Sequence, residues 1–228
     1  MEKRAIILVH GFAGDTREVK PLADALRLSG ESVHMIQLVG HGQGRAELSR
    51  YSHRDWLNYA FRDVEAIAKE YDELVYIGFS MGGFICTELA RRLPAAKIVF
   101  VNTPVFFWNI PQVIKNTTVG LLQRDKSVMK RYTDAFSSPP MRTVHGFLAL
   151  RSYAVPHLGD IHCPALVLQT LNDDTTQPKS AEHIRYSLEG SSVVKYYGSG
   201  GHLIFHSDRA GEAIADILGF VVPAPQRS

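Results

Sequence analysis

Six short apolar runs, most of them rich in β-branched residues, punctuate the chain: Ile6–His10, Ser32–Leu38, Leu74–Phe79, Lys97–Asn102, Ala165–Gln169 and Val193–Tyr197. Most are nearly continuous rather than alternating, which suits strands covered on both faces. Between most of them the apolar residues follow helical spacing. Val19, Leu22, Ala23 and Leu26 share one helix face, as do Leu57, Ala60, Val64, Ile67 and Ala68. Ser52 and Asp55 can open the second of these as a capping box. A third helix runs through Ile85, Leu89, Ala90 and Leu93 until Pro94 stops it, and Ala181, Ile184 and Leu188 mark a fourth after Pro178. Ala210 to Val221 reads as a closing helix. Strands alternating with helices predict an α/β fold with a doubly wound, mostly parallel sheet.

At roughly 150 residues per domain, 228 residues make one domain with room for an insertion. That insertion has an address. From about Val105 to Asp160 no strand is expected, and the stretch holds seven aromatics: Phe106, Phe107, Trp108, Tyr132, Phe136, Phe147 and Tyr153. Its charges are Lys115, Arg124, Lys126, Lys130, Arg131, Arg142 and Arg151 against Asp125, Asp134 and Asp160, an excess of +4 that leaves −2 elsewhere. The expected organisation is a core of residues 1–104 and 161–222, a helical insertion at 105–160 and a flexible tail at 223–228.

The overall formal charge of +2 gives no argument for nucleic acid. Two cysteines, Cys86 and Cys163, are too few for a disulfide scaffold or a four-cysteine zinc site. The apolar run after Met1–Arg4 spans only Ala5 to Val9, whereas a secretory segment needs about 7–15 apolar residues. No stretch approaches the roughly 18 needed for a membrane span. A cytoplasmic globular protein is the expectation.

Chemistry is most visible at Gly78-Phe79-Ser80-Met81-Gly82, followed by Gly83. This is the G-x-S-x-G pattern, placed between an apolar strand and a helix, where it presents a serine on a strained turn beside a helix N-terminus. A phosphate loop is the rival, but Phe84 stands where its lysine is required. Serine needs a base, and the base an orienting acid. Asn172-Asp173-Asp174 follows the fifth run and Gly200-Gly201-His202 the sixth, so a parallel sheet brings both to the serine's edge. At most one of Asp173 and Asp174 points at His202; the other can cap its loop. His206 makes an i, i+4 pair with His202, but Leu203 replaces the glutamate of the zinc-protease form, and no metal is expected. The remaining histidines show no ligand spacing. Ser127–Lys130 matches S-x-x-K without its companion motifs and carries no chemistry. The turn His10-Gly11-Phe12-Ala13-Gly14 can aim the Phe12 N–H at the same spot as the Met81 N–H, forming an oxyanion hole.

His10-Gly11-Phe12, Gly40-His41-Gly42, Gly78–Gly83, Asn172-Asp173 and Gly201-His202, in this order, resemble the α/β-hydrolase superfamily. Within it the chain resembles small bacterial carboxylesterases related to monoacylglycerol lipases, over nearly its whole length. The likeness of Gln169–Ala181 implies Asp173 as the acid. The insertion is similar to their helical cap over the acyl site, and the early start implies a compact sheet of six to seven strands. The implied activity is hydrolysis of small-molecule acyl esters, short to medium or monoacylglycerol-like, by Ser80, Asp173 and His202 without a cofactor. Thioesterases and carbon–carbon bond hydrolases share the same resemblance, and a non-catalytic ligand-binding protein on this fold is the alternative of another class. Oligomeric state is left open between monomer and dimer.

Overall fold

Each apolar run becomes a strand. The computed structural model describes residues 3–108 and 139–222. Its strands are β1 (Arg4–Val9), β2 (Ser32–Ile36), β3 (Glu73–Phe79), β4 (Lys97–Val101), β5 (Ala165–Thr170) and β6 (Ser192–Tyr197). They form one sheet in the order β2-β1-β3-β4-β5-β6, and every pairing is parallel. The helices are α1 (Lys20–Leu28), α2 (Arg45–Leu48), α3 (His53–Ala68), α4 (Gly82–Arg92), α5 (Met141–Ala154), α6 (Lys179–Ser187) and α7 (Ala210–Val221).

The sheet has a core on each face. Ala5, Ile7 and Val9 point toward α3, α4, α5 and α6, packing with Trp56, Val64, Phe84, Leu150 and Ile184. Ile6 and Leu8 face the other way, onto Leu22 and Leu26 of α1 and Ile217 and Val221 of α7. Burial on both faces explains why most strands are apolar throughout. At the sheet's edge β6 alternates instead, with Val193 half-exposed and Tyr197 buried.

Some boundaries differ from expectation for identifiable reasons. The first strand ends at Val9 rather than His10, because the His10 Nε2 accepts the Leu38 N–H at 3.1 Å. A side chain there replaces the ladder and lets both chains leave the sheet. The capping box forms: Ser52 N–H donates to Asp55 Oδ2 at 2.8 Å, and Asp55 N–H to Ser52 Oγ at 3.4 Å. The four-residue α2 was not anticipated. Of the 105–160 stretch, the described part holds α5 and a 3₁₀ turn at Val155–Asp160, plus an isolated antiparallel bridge between Phe107 and Thr176. Tyr132, Phe136, the charges from Lys115 to Asp134, Ser127–Lys130 and the tail 223–228 lie outside the described residues.

The connections decide where a ligand can sit. From β1 the chain crosses to β2 on one side, then returns to β3 on the other. The carboxyl ends of β1 and β3 therefore flank the point where winding reverses, the place at which an open α/β sheet leaves a crevice.

Candidate active site

Ser80 stands immediately after β3 with φ at +52°, in the left-handed region that a side chain seldom adopts. Its N–H is held by the Val101 carbonyl at 2.8 Å. The turn closes only because its flanks lack side chains. A Cβ on Gly78 would lie 2.4 Å from the Gly83 nitrogen, and one on Gly82 would lie 2.2 Å from the Val9 carbonyl oxygen. Close packing of strand against helix thus pushes the serine out at the sheet's edge.

The loop after β5 supplies Asp173, fully buried. Its Oδ1 accepts the N–H groups of Thr175 and Thr176 at 2.7 and 3.0 Å. Its Oδ2 accepts the His202 Nδ1–H at 2.8 Å. With that proton committed to the carboxylate, Nε2 is the free acceptor and faces the Ser80 Oγ at 2.9 Å. Asp174 accepts the Thr175 hydroxyl at 3.3 Å. His206 donates from Nε2 to the Arg17 carbonyl at 3.0 Å. Among the described residues no cluster of three or more His, Cys, Asp or Glu side chains could hold a metal ion.

β6 is three strands from β3, roughly 14 Å at the usual strand spacing, so the loop bearing His202 has to reach back across the sheet edge. Two asparagines hold it there. Asn172 Oδ1 accepts the Gly201 N–H at 2.8 Å. Asn102, buried at the end of β4, donates from Nδ2 to the His202 carbonyl at 2.9 Å and to Thr170 Oγ1 at 3.2 Å, while its Oδ1 accepts the Thr170 N–H at 2.8 Å. Sequence reasoning missed Asn102; the signal available was a polar amide directly after an apolar run.

Burial pulls the His202 pKa down, but the Asp173 charge and hydrogen bond, with the charges of Glu18 and Asp174, outweigh it and leave it above the ordinary 6.5. The Phe79 ring packs against the imidazole, with centroids 5.2 Å apart. The N–H groups of Phe12 and Met81 have no intramolecular hydrogen-bond partner among the described residues. His10 and His41 do different work. His10 donates from Nδ1 to the Gly11 carbonyl at 2.9 Å and shapes the turn, and burial holds both imidazoles down to about 4. Beside the turn, Phe12, Phe107 and Phe84 surround Phe147 of α5 with centroids 5.2, 5.8 and 6.4 Å away. These four rings form an aromatic cluster beside the turn.

A doubly wound parallel sheet with serine, imidazole and carboxylate in line at its carboxyl edge defines a hydrolase of the α/β class. The chain belongs to the alpha/beta hydrolase family, whose match runs over residues 6–217. A carboxylesterase of Bacillus subtilis (strain 168) is 25% identical over 210 residues, 88% of this chain and 85% of that protein. A thermostable monoacylglycerol lipase of Bacillus sp. (strain H-257) is 26% identical over 194 residues, 78% of this chain and 74% of its own. Among solved structures, one of the metagenome-derived lipolytic enzymes LipS and LipT superposes with a TM-score of 0.79 at 19% identity, covering 96% of this chain and 93% of that one. A soluble variant of monoglyceride lipase from Saccharomyces cerevisiae superposes at 0.69 and 19% identity, over 96% and 86%. Among the described residues no helix is long and apolar enough to cross a membrane.

Proposed function

We propose that this chain is a carboxylesterase-type serine hydrolase, with Ser80 as nucleophile, His202 as general base and acid, and Asp173 as the orienting acid. The observation that carries the reading is the continuous hydrogen-bonded line from Asp173 through His202 to Ser80, at 2.8 and 2.9 Å, ending on a serine of positive φ. The carboxylesterase and monoacylglycerol lipase relatives support ester hydrolysis as the reaction.

Ser80 Oγ attacks the ester carbonyl carbon while its proton passes to His202 Nε2. The carbonyl oxygen becomes an oxyanion, received by the Phe12 and Met81 N–H groups. Collapse breaks the bond to the alkoxy oxygen, which takes the proton from His202 and leaves as the alcohol. Water then attacks the acyl-Ser80 ester, gives its proton to His202, and the acid departs as Ser80 is restored. Every proton moves between groups of this chain, substrate and water, so no cofactor enters.

The aromatic cluster around Phe147, which includes Phe12, favours an acyl ester of short to medium length or a monoacylglycerol-like substrate. Residues 1–104 and 161–222 act as the catalytic body, 105–160 as the cap and 223–228 as a tail. The near-neutral charge favours a small-molecule substrate over nucleic acid. A fluorophosphonate probe should add its mass to the peptide containing Ser80 and leave Ser80→Ala unlabelled. Labelling that persists in Ser80→Ala sinks the assignment, and a panel of p-nitrophenyl esters, monoacylglycerols and acyl-CoAs ranks the substrates.

A further inference from the structure

One carboxylate beside the site takes no part in the reaction just described. Glu18 ends the 3₁₀ turn Thr16–Glu18, which follows the turn carrying Phe12. Asp15 caps that 3₁₀ turn by accepting the Arg17 N–H at 2.9 Å, and the Glu18 N–H returns to the Asp15 carbonyl at 3.1 Å. The chain is thereby folded back, so that Glu18 Oε2 accepts the Gly11 N–H at 2.8 Å. A Cβ built on Gly14 would lie 2.2 Å from Glu18 Oε1. One built on Gly11 would lie 3.1 Å from Oε2 and 3.2 Å from the Ser80 Cβ. The spacing Gly11-x-x-Gly14 is thus a cradle for a carboxylate, set directly against the nucleophile.

The surroundings make this carboxylate unusual. No cation pairs with it among the described residues; Arg17 instead binds Asp15 at 2.6 Å. The ionisable groups that act on it are Asp15 in its own turn and His202 and His206 in the segment after β6. Those acting on His202 are Asp173 and Asp174 after β5, and Glu18. Burial raises the Glu18 pKa against the pull of the Gly11 hydrogen bond and the His202 charge. A partly buried carboxylate with one neutral hydrogen bond is unfavourable by itself, so it needs a compensating attraction. The developing imidazolium of His202 is the positive charge that the reaction creates nearby.

We propose that Glu18 is a positioning residue that holds the Gly11 N–H, and with it the turn presenting the Phe12 N–H, while its charge stabilises protonated His202. The inference rests on His202 being the general base. Glu18 touches neither substrate nor the reacting atoms; it acts through the turn and through the imidazole.

The two actions separate by substitution. Glu18→Gln keeps an acceptor for the Gly11 N–H but removes the charge. The titration midpoint of the His202 imidazole protons, followed by NMR, should then fall, and the acid limb of kcat/KM should move to lower pH. Glu18→Ala loses both actions. Its plateau kcat should drop about tenfold or more with KM little changed, part of the 10²–10³-fold lost with a whole oxyanion donor. Thermal melts accompany both variants, and if the alanine variant fails to fold, the glutamine variant carries the test. An imidazole midpoint and acid limb left at their wild-type pH in Glu18→Gln overturn the inference. So does a Glu18→Ala variant whose KM rises while kcat stays put. Ser80→Ala in parallel tells the two failures apart. If it still turns over ester, the reading of the whole site fails; if it is dead while the limb does not move, only the role of Glu18 does.

Discussion

Asp173→Asn changes one atom at the centre of the site, and the structure dictates how the amide must sit. The Oδ1 position receives two backbone N–H groups, from Thr175 and Thr176 at 2.7 and 3.0 Å. An amide NH₂ there would oppose two donors, so the carbonyl oxygen keeps that place and the NH₂ takes the position of Oδ2, facing His202 Nδ1 at 2.8 Å. Nδ1 must then accept, which puts the ring proton on Nε2, facing Ser80 Oγ. The base now carries a proton where it should take one. The same exchange lowers turnover about 10⁴-fold in a serine protease of different fold, equivalent to roughly 5 kcal/mol of barrier. A loss of that order in kcat for p-nitrophenyl ester hydrolysis is expected, with a melting temperature close to wild type because both loop hydrogen bonds survive. Asp174→Asn, whose carboxylate accepts the Thr175 hydroxyl rather than the His202 Nδ1–H, should stay within about tenfold. If Asp174→Asn is the more damaging change, or Asp173→Asn costs less than about tenfold, the tautomer argument is wrong.

The reaction needs His202 neutral, and its pKa lies above 6.5, so kcat/KM should fall as pH drops through a midpoint above that value; a limb at or below 6.5 contradicts this. Stability has its own acid sensitivity. His10 and His41 are held down to about 4, so the unfolded chain binds more protons than the native one below 6.5, and stability is lost as pH falls from there toward 4. At pH 5 the loss is on the order of 2 kcal/mol for each, measurable as a lower urea midpoint than at pH 7, and an unchanged midpoint refutes it. Gly82→Ala would put a methyl group 2.2 Å from the Val9 carbonyl oxygen, which is backbone and cannot move aside. Loss of soluble protein, or of ester hydrolysis in whatever remains, is expected, and a fully active variant speaks against the packing described. Trp56 is fully buried in the core, and Trp56→Ala should destabilise by about 3–5 kcal/mol in chemical denaturation, with a smaller change marking a site that collapses readily.

The six strands and most helices were legible because their information is local. Each apolar run needed only its own residues, and Ser52 with Asp55, or Pro94 after Leu93, marked helix ends within one turn. Ser80 was legible for the same reason, since strand, turn and helix are contiguous there and the glycines that crowd the turn lie within three residues of it. His202 was legible only by assuming a parallel sheet, because nothing near Gly201-His202 in the sequence refers to Ser80.

What tertiary structure alone decided is what depends on distant partners. Asp173 and Asp174 are chemically identical neighbours, and the one that accepts the His202 Nδ1–H does so across 29 residues of chain. Asn102 offered in sequence only a polar amide after an apolar run, because its partners, Thr170 and His202, are 68 and 100 residues away. Glu18 reads in sequence as one more charge beside Arg17, and it becomes part of the site only when the 3₁₀ turn folds it back onto Gly11. The sequence by itself determined the class of fold and the place of the proposed nucleophile, because periodicity and steric crowding act between neighbours. The orientation of the proposed base and the charge around it were decided by three-dimensional proximity, because electrostatics and hydrogen bonds act through space and take no account of separation along the chain.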